Sequence, residues 1–290
     1  MTSPERTAST LQIGVVGSGI MGAGLAEMAA RSGFDVIVRS RTAAAAAAMV
    51  STIERGLTRA VERGRLTNDE QTTALSHIRT TERLEDLADC DLVIESVVED
   101  LAVKRGLFAD LDRITAPDAV LVTNTSTLPV IEMAIATQHP ERICGLHFFN
   151  PVTAMRLVEL VRPLTASDDT LARARRFAEA CGKDVVEVDD RAGFVVNALL
   201  FPYLNDAVRM LDRGTASMND IDAAMRGGCN FPMGPFELLD LVGIDTSVAI
   251  LDALYGEFRE SHYAAHPVLR RMVAAGRLGR KTGRGFHEYR

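Results

Sequence analysis

A histidine and a glutamate stand in two consecutive apolar segments of the chain. Residues 143 to 162 read ICGLHFFNPVTAMRLVELVR, which places His147 and Glu159 where the pattern otherwise predicts buried strands. A carboxylate beside an imidazole favours the protonated ring, so such a pair can take a proton from a substrate hydroxyl group. The alternative is a core histidine whose ring is satisfied by a backbone carbonyl. Further polar groups near the pair would favour the chemical interpretation.

Three more polar side chains fall at predicted strand ends or helix starts. Ser126 follows the apolar run AVLVT, Asn150 follows the histidine segment, and Asn197 lies early in the helical stretch GFVVNALLFP. Open α/β sheets bind ligands at the carboxyl ends of their strands. We therefore expect these groups and the histidine–glutamate pair to line one ligand site.

A glycine-rich turn near the start of the chain has the pattern G-x-G-x-x-G. It ends the β-branched run QIGVVG, opens a helical stretch, and consists of Gly17, Ser18, Gly19, Ile20, Met21 and Gly22. In a βαβ unit, Gly17 permits the tight turn, Gly19 lets the backbone approach a pyrophosphate, and Gly22 allows close packing of helix on strand. The helix start adds N–H groups and partial positive charge for the phosphates. The turn therefore predicts a dinucleotide-binding site.

The end of the second predicted strand bears on the choice of dinucleotide. Folds that bind NAD(H) usually carry an acidic residue there, which bonds the ribose hydroxyls. This chain has Arg39, Ser40 and Arg41 instead, and Asp35 lies at the start of the strand. Arg41 can hold a 2′-phosphate through charge-assisted hydrogen bonds and Ser40 offers a hydroxyl group, so the sequence favours NADP(H) over NAD(H). The alternative is that both arginines belong to a solvated strand end.

Strand-like and helical segments alternate through the first two thirds of the chain. Strands are predicted at 12–17, 35–40, 92–97, 119–126, 143–149, 155–161 and 184–189. Helices are predicted directly after the glycine turn, at 42–63, after residue 67, and at 103–114, 130–137 and 168–181. Such alternation is typical of βαβ units with right-handed crossovers. We therefore expect an α/β protein whose residues 1–189 form a Rossmann-type, doubly wound and mostly parallel sheet domain.

The remaining residues, 190–290, have a different pattern. Strand-like runs stop, and helical stretches are predicted at 193–212, 217–226, 245–258 and 267–275. The segment 227–235 contains Pro232, Gly234 and Pro235, which predicts a turn between helices. An all-helical C-terminal domain is expected to follow the sheet domain.

The composition disfavours several classes of protein. The chain has 290 residues, 47% of them apolar, and a formal net charge of -7, whereas nucleic-acid binding usually needs a basic face. The four cysteines are far apart and form no C-x-x-C pair, so we expect neither a metal site nor a disulfide framework. The polar start MTSPERTAST and the lack of a long uninterrupted apolar run predict a cytoplasmic protein without a membrane span.

Six motifs spread along the chain make it similar to a known family. They are NTST, GLHFFNPV, LVEL, GFVVNALLFPYLNDA, PMGPFELLDLVGID and GRKTGRGF. Together they resemble the 3-hydroxyacyl-CoA dehydrogenases, in particular the short, single-function 3-hydroxybutyryl-CoA members. The resemblance implies reversible oxidation of an L-3-hydroxyacyl thioester with a nicotinamide cofactor, and a helical second half that forms a homodimer.

The resemblance also implies roles for individual residues. The catalytic pair falls on His147 and Glu159, while Ser126 and Asn197 would hold the substrate oxygen. The residues placed near the cofactor are Glu99, Lys104, Ser126, Asn150 and Lys281. Two departures stand out, since residues 39–41 lack the acid that many members carry and NTST replaces the commoner NTSS. The second change leaves Ser126 itself intact.

A stripe of arginines offers a candidate contact for coenzyme A. Arg55, Arg59 and Arg63 recur four residues apart in the long helical segment after the second strand. The resemblance implies that this helical insertion helps to hold the CoA tail, which makes Arg55 and Arg59 candidate ligands. A solvated helix face, with Glu54 and Glu62 as neighbours, fits the same pattern.

Two other functions stay open. One is a dehydrogenase of similar two-domain build that acts on a free hydroxy acid such as L-gulonate or carnitine, and the other is a cofactor-binding protein without turnover. The aromatic pair that follows His147 points to the acyl-CoA branch by resemblance. The intact set Ser126, His147, Glu159 and Asn197 argues against a protein without turnover, because a binding module needs no base.

Overall fold

The protein consists of two compact units, which meet in the sequence between Asp190 and Arg191. The computed structural model describes residues 11–289, and the polar stretch MTSPERTAST at 1–10 lies outside the described residues. The first unit holds an eight-stranded sheet and the second is mainly helical. An α/β fold with a mostly parallel sheet followed by a helical domain is thus confirmed.

The sheet of the first unit is parallel except for one pair of strands. Its strands are β1 Gln12–Val16, β2 Asp35–Arg39, β3 Ile78–Thr81, β4 Leu92–Glu95, β5 Val120–Thr123, β6 Ile143–Phe148, β7 Leu157–Arg162 and β8 Asp184–Asp189. They lie in the order β3-β2-β1-β4-β5-β6-β7-β8. The chain therefore reverses its direction of travel across the sheet between β1 and β4. Ligands of open α/β sheets bind outside the carboxyl ends of the strands at such a switch point.

Six helices accompany these strands. They are α1 Ile20–Arg31, α2 Ala43–Glu62, α3 Asn68–Ser76, α4 Leu101–Ile114, α5 Val130–Ala134 and α6 Asp168–Ala180. Side-chain caps fix the starts of α2, α3, α4 and α6. At α2, the Thr42 hydroxyl accepts a hydrogen bond from Ala45 N at 3.2 Å. At α3, Glu70 N donates to the Thr67 hydroxyl at 3.1 Å while Thr67 N donates to the Glu70 carboxylate at 2.7 Å. The run of six alanines at 43–48 forms the start of α2.

The pairing of β6 with β7 is the antiparallel exception. Residues 149–156 join these two strands, and a parallel crossover would need about a dozen residues or more. The short connection therefore makes the chain turn back beside β6. The register places His147 opposite Glu159 and Phe148 opposite Val158. Directly opposite residues share one face of a sheet and stand within contact distance.

The core of the first unit lies between the sheet and its helices. Val15, Ile94 and Val122 stand side by side on β1, β4 and β5 and belong to one buried apolar cluster. Leu25 of α1 and Phe177 of α6 complete this part of the cluster. The central strands are buried along nearly their whole length, which is typical of parallel strands covered on both faces.

The second unit has its own core. Its helices are α7 Val196–Asp212, α8 Met218–Cys229, α9 Pro235–Val242, α10 Ile244–Phe258 and α11 Pro267–Ala274. Phe201, Phe236 and Leu251 are among the buried side chains of its apolar cluster. Two buried aspartates fasten the C-terminal segment: Asp240 accepts hydrogen bonds from His287 N at 2.8 Å and Tyr289 Oη at 3.0 Å. Asp222 holds His287 Nε2 at 2.9 Å.

Neither β3 nor α9 is predicted from the sequence. β3 is four residues long at an edge of the sheet, and its sequence IRTT has too few apolar residues to show alternation. At α9, Pro235 is the first helical residue and Gly234 N donates to the Glu237 carboxylate at 3.0 Å. The same proline and glycine that predict a turn thus start a helix. The turn is shorter than expected, because α8 continues to Cys229.

Candidate active site

The glycine turn between β1 and α1 leaves room for a dinucleotide. Gly17 has φ 123°, and a Cβ there would collide with the carbonyl oxygen of Ser96. A Cβ at Gly22 would collide with the carbonyl oxygen of Gly17. At Gly19, in contrast, a Cβ would meet no atom within 4 Å. Gly17 and Gly22 are therefore needed by the fold itself, whereas Gly19 borders open space where a pyrophosphate fits.

The first turn of α1 faces the same space. Gly19 is the N-cap residue and Ala23 N donates to its carbonyl at 2.9 Å. The first N–H groups of a helix have no partner within the helix, and they carry the positive end of its dipole. Ile20 is largely exposed, and the half-buried Met21 packs against the core. This helix start suits the phosphates of a dinucleotide.

The carboxyl end of β2 lies against the glycine turn. Gly17 N donates to the carbonyl of Arg39 at 3.1 Å, and the buried Ser40 hydroxyl donates to Ser18 Oγ at 3.2 Å. Arg39 Nε donates to a backbone carbonyl at 3.3 Å. Arg41 is exposed and forms no hydrogen bond or ion pair with any residue between 11 and 289. Its guanidinium group is therefore available to an anionic ligand next to the turn.

His147 and Glu159 form a direct, buried pair. His147 Nδ1 lies 2.7 Å from Glu159 Oε2, and the two residues are 5% and 1% exposed. Because Nδ1 faces a carboxylate, it carries the ring proton, and Nε2 is the proton acceptor of the neutral imidazole. The Phe149 ring lies 4.6 Å from the imidazole, centroid to centroid. A histidine satisfied by a backbone carbonyl alone would lack such a carboxylate partner.

A buried charge network lies at the carboxyl ends of β4 and β5. Lys104 Nζ lies 3.0 Å from Glu95 Oε2 and 2.8 Å from Glu99 Oε2, although Lys104 is only 1% exposed. Glu99 also accepts a hydrogen bond from Ser126 N at 3.1 Å and a very short one from the Thr125 hydroxyl. Burial raises the pKa of Glu99, but the charge of Lys104 and these hydrogen bonds together lower it below its usual value.

This network fixes the turn that carries Ser126. Ser126 follows β5 by three residues and is half-buried, and its backbone N–H is bound to Glu99. Asn124 holds the same turn from the other side, because its side-chain oxygen accepts a hydrogen bond from Phe148 N at 2.9 Å. Phe148 directly follows His147 in β6. Hydrogen bonds thus connect the serine turn to the histidine strand.

Asn150 lines a basic cavity. The cavity has a volume of about 430 Å³ and lies between α1, α2 and the turn after β6. Its charged lining residues are Glu27, Arg31, Arg59, Arg63 and Arg65. Burial raises the pKa of Glu27, and the nearby Arg31 only partly offsets this effect. Arg55 is not part of the lining, because its guanidinium group bonds the hydroxyls of Ser51 and Thr52 at 2.9 and 3.0 Å.

A buried lysine holds the turn that carries Asn150. Lys183 Nζ donates to the carbonyl oxygens of Val152 and Met155 at 2.5 and 2.7 Å. The side chain has little contact with solvent, and burial lowers the pKa of its ammonium group. Lys183 therefore fixes the connection between the strands that carry His147 and Glu159.

The helical unit contains the last two predicted site residues. Asn197 is buried in the first turn of α7. Gly193 precedes it with φ 73°, and a Cβ there would press on Leu254 and on the helix start. Lys281 Nζ bonds Asp245 Oδ2 at 2.7 Å, and both side chains are partly exposed.

The structure joins some predicted residues directly and adds others. His147 pairs with Glu159, and Glu99 connects Lys104 to Ser126. Sequence reasoning missed Glu95, although a charged residue at the end of the apolar run LVIES is a visible signal. It also gave no role to Asn124 or Lys183. Both bind backbone groups that lie 24 to 31 positions away in the sequence.

Two findings concern residues 11–289 taken together. No helix within residues 11–289 combines the length and apolar character that a bilayer span requires. In the same part of the chain, no group of three or more His, Cys, Asp or Glu side chains is arranged to hold a metal ion.

The sheet order and the glycine turn define a class: α/β proteins that bind a dinucleotide at the switch point of the sheet. Comparison with family models specifies the family. The model described as 3-hydroxyacyl-CoA dehydrogenase, NAD binding domain, matches residues 12–191. The model described as 3-hydroxyacyl-CoA dehydrogenase, C-terminal domain, matches residues 193–289. The chain belongs to the 3-hydroxyacyl-CoA dehydrogenase family.

Individual relatives are similar over nearly the whole chain. A 3-hydroxybutyryl-CoA dehydrogenase of Mycobacterium tuberculosis is 50% identical over 280 residues, which are 96% of this chain and 98% of the relative. The crystal structure of M. tuberculosis FadB2 has a TM-score of 0.94 at 50% identity and covers 96% of this chain and 98% of its own. That of (S)-3-hydroxybutyryl-CoA dehydrogenase PaaH1 from Ralstonia eutropha has a TM-score of 0.93 at 38% identity, with 96% and 99% covered.

Proposed function

We propose that the protein interconverts L-3-hydroxyacyl-CoA and 3-oxoacyl-CoA thioesters with a nicotinamide dinucleotide, and that 3-hydroxybutyryl-CoA and acetoacetyl-CoA are its substrates. The observation that carries the proposal is the 2.7 Å contact between His147 and Glu159. It provides a base on a sheet that also carries a dinucleotide turn. The family and the names of the relatives support the thioester class.

In this proposal the histidine–glutamate pair moves the substrate proton. When the thioester is oxidised, His147 Nε2 takes the proton of the C3 hydroxyl, and when it is reduced the same nitrogen returns the proton. Glu159 orients the ring through Nδ1 and stabilises the cation that forms. The bound dinucleotide supplies the acceptor or donor of hydride.

Two further side chains hold the reacting oxygen. Ser126, fixed through Glu99, is proposed to donate a hydrogen bond to the C3 oxygen as charge develops on it. The same role is proposed for Asn197 on the resemblance to the family. A donor of this kind typically contributes about 3 to 4 kcal/mol to transition-state stabilisation. Residues near the cofactor are, in this proposal, Glu99, Lys104, Ser126, Asn150 and Lys281.

Arg41 is proposed to select NADP(H). The acidic residue of β2, Asp35, lies at the other end of the strand, where it contacts His77 Nδ1 at 2.8 Å. We expect Arg41→Ala to lower kcat/KM for NADPH about 10- to 100-fold, because charge-assisted bonds to the 2′-phosphate contribute about 1.5 to 3 kcal/mol. The value for NADH should change less than about twofold. Steady-state assays with both cofactors measure this.

The matched control for this experiment is Arg113→Ala, which removes an exposed arginine of α4 that pairs with Asp110. It should leave kcat/KM for NADPH and for NADH unchanged. A strong preference for NADH that persists in Arg41→Ala would show that the arginine has no part in cofactor choice.

The CoA tail is proposed to lie against the arginine stripe, where Arg59 lines the basic cavity. We expect Arg59→Ala to raise KM for acetoacetyl-CoA about tenfold and to leave kcat unchanged, because the lost contact is to CoA phosphates. Arg55→Ala, on the same helix but outside the cavity, should have a smaller effect. Steady-state kinetics compares the two. Equal KM values in wild type and Arg59→Ala would refute this placement.

Other parts of the proposal concern the whole protein. Residues 1–189 are proposed to hold the dinucleotide, and residues 190–290 to supply substrate contacts and form a homodimer. Exposed apolar side chains such as Leu199 and Leu241 in the helical unit support such an interface. A cytoplasmic location is also proposed, and the free cysteines fit it, because structural disulfides are rare in that compartment.

A further inference from the structure

Glu95 is a fully buried carboxylate next to the switch point of the sheet. It ends β4, where the register places it beside Val16 of β1 and Thr123 of β5. Its Oε1 accepts a hydrogen bond from Val97 N at 2.6 Å, and its Oε2 accepts one from the Thr123 hydroxyl at 2.7 Å. Lys104 Nζ donates to Oε2 at 3.0 Å. Both oxygens act as acceptors, as those of a carboxylate do.

The network around Glu95 is not neutral. Lys104 lies between Glu95 and Glu99, so two carboxylates share one ammonium group and leave one negative charge in excess. Glu95 is 0% exposed and Lys104 1%, whereas the Glu99 side chain is 40% exposed, so solvent screens the buried part of this network far less than it screens a surface charge. The excess charge therefore acts on whatever binds next to Glu99 and the Ser126 turn.

A nicotinamide ring changes its own charge during the reaction. The oxidised ring is a cation and the reduced ring is neutral, so a nearby fixed negative charge stabilises the oxidised form more. We infer that Glu95 sets the preference of the site for the redox state of the cofactor, favouring oxidised over reduced nicotinamide. This rests on the proposed function, since it needs the ring near Glu99 and Lys104.

In this inference Glu95 affects the cofactor without touching it. Its side chain is enclosed by Val97, Lys104 and Thr123, so it is a positioning residue that holds Lys104 and contributes its charge through the network. A merely structural role would weaken the binding of both redox forms equally. An electrostatic role changes the ratio of the two affinities, which separates the two explanations.

The test measures Kd for the oxidised and reduced forms of the same dinucleotide, NAD(H) and NADP(H) each, by calorimetry and by nicotinamide fluorescence. In Glu95→Gln we expect Kd for the oxidised form to rise about tenfold, while Kd for the reduced form stays within about twofold. Thr123→Val removes one hydrogen bond to Glu95 and keeps the charge. It should leave the ratio of the two constants as in the wild type.

Lys104→Met changes the charge of the network in the opposite direction, and it provides a second test if Glu95→Gln does not fold. Loss of the ammonium group adds to the excess negative charge. The affinity for the oxidised form should therefore rise relative to the affinity for the reduced form, even if both affinities change. An unchanged ratio in both variants would overturn the inference while leaving the dehydrogenase proposal intact. Failure of the wild-type protein to bind either form would instead overturn the proposed function, and this inference with it.

Discussion

The variant His147→Gln is expected to lose nearly all turnover and to bind the dinucleotide as the wild type does. Glutamine can occupy the space of the imidazole, but it cannot take a proton from a hydroxyl group. Since general acid–base catalysis contributes about 10²- to 10⁴-fold, kcat for acetoacetyl-CoA reduction should fall by about 10³-fold. Steady-state kinetics gives kcat, and titration gives Kd for the cofactor, which should not change.

Glu159→Gln provides the matched comparison. It keeps the imidazole and a polar partner beside Nδ1, but removes the charge that stabilises the protonated ring. Its kcat should therefore lie between those of the wild type and His147→Gln. The free energy of unfolding should be measured for both variants, because both side chains are buried. Near-normal turnover in a folded His147→Gln protein would remove the proposed base.

The second large effect is expected at Gly19. The residue has φ -76° and ψ -177°, an extended conformation that alanine adopts readily, and a Cβ there meets no protein atom within 4 Å. Gly19→Ala should thus keep the stability of the fold. Its methyl group would project into the space of the pyrophosphate, so Kd for the dinucleotide should rise about 100-fold, or about 2.7 kcal/mol. Calorimetry and thermal unfolding measure the two quantities.

Alanine variants of two other glycines serve as comparisons for Gly19→Ala. At Gly22 a Cβ collides with the carbonyl of Gly17, so Gly22→Ala should lower the free energy of unfolding by about 1 to 3 kcal/mol as well as weaken binding. Gly106 lies within α4 with nothing close to a Cβ, and Gly106→Ala should leave Kd unchanged. Unaltered dinucleotide affinity in Gly19→Ala would mean that the open space beside the turn is not a phosphate site.

The parts of the site that depend on local sequence could be predicted. The glycine turn could be predicted because Gly17 and Gly22 meet steric demands of a strand, a turn and a helix that follow one another directly, while Gly19 leaves space for a ligand. His147 and Glu159 could be placed in successive strands, because the apolar pattern on each side of them is local to the sequence. Their register could not be read from the pattern, because it depends on how residues 149–156 turn and on the backbone bonds of Lys183.

Contacts between segments that are distant in the sequence could not be predicted. Glu95 meets Thr123 only because β4 and β5 are neighbours in the sheet, and neither residue type signals that pairing. The arginine stripe was visible, but not that Arg59 lines a cavity while Arg55 bonds to its own helix. At α9 the sequence signal is ambiguous, because proline and glycine occur both in turns and at the start of helices.

The measurement that tests the central claim most directly is the rate of nicotinamide oxidation with acetoacetyl-CoA, compared with free acetoacetate at the same concentration. NADH and NADPH are supplied side by side. The account predicts rapid oxidation of at least one cofactor with the thioester and little with the free acid. Faster turnover of the free acid would contradict it in favour of a hydroxy-acid dehydrogenase, and no oxidation with either compound would favour a protein that binds the cofactor without turnover.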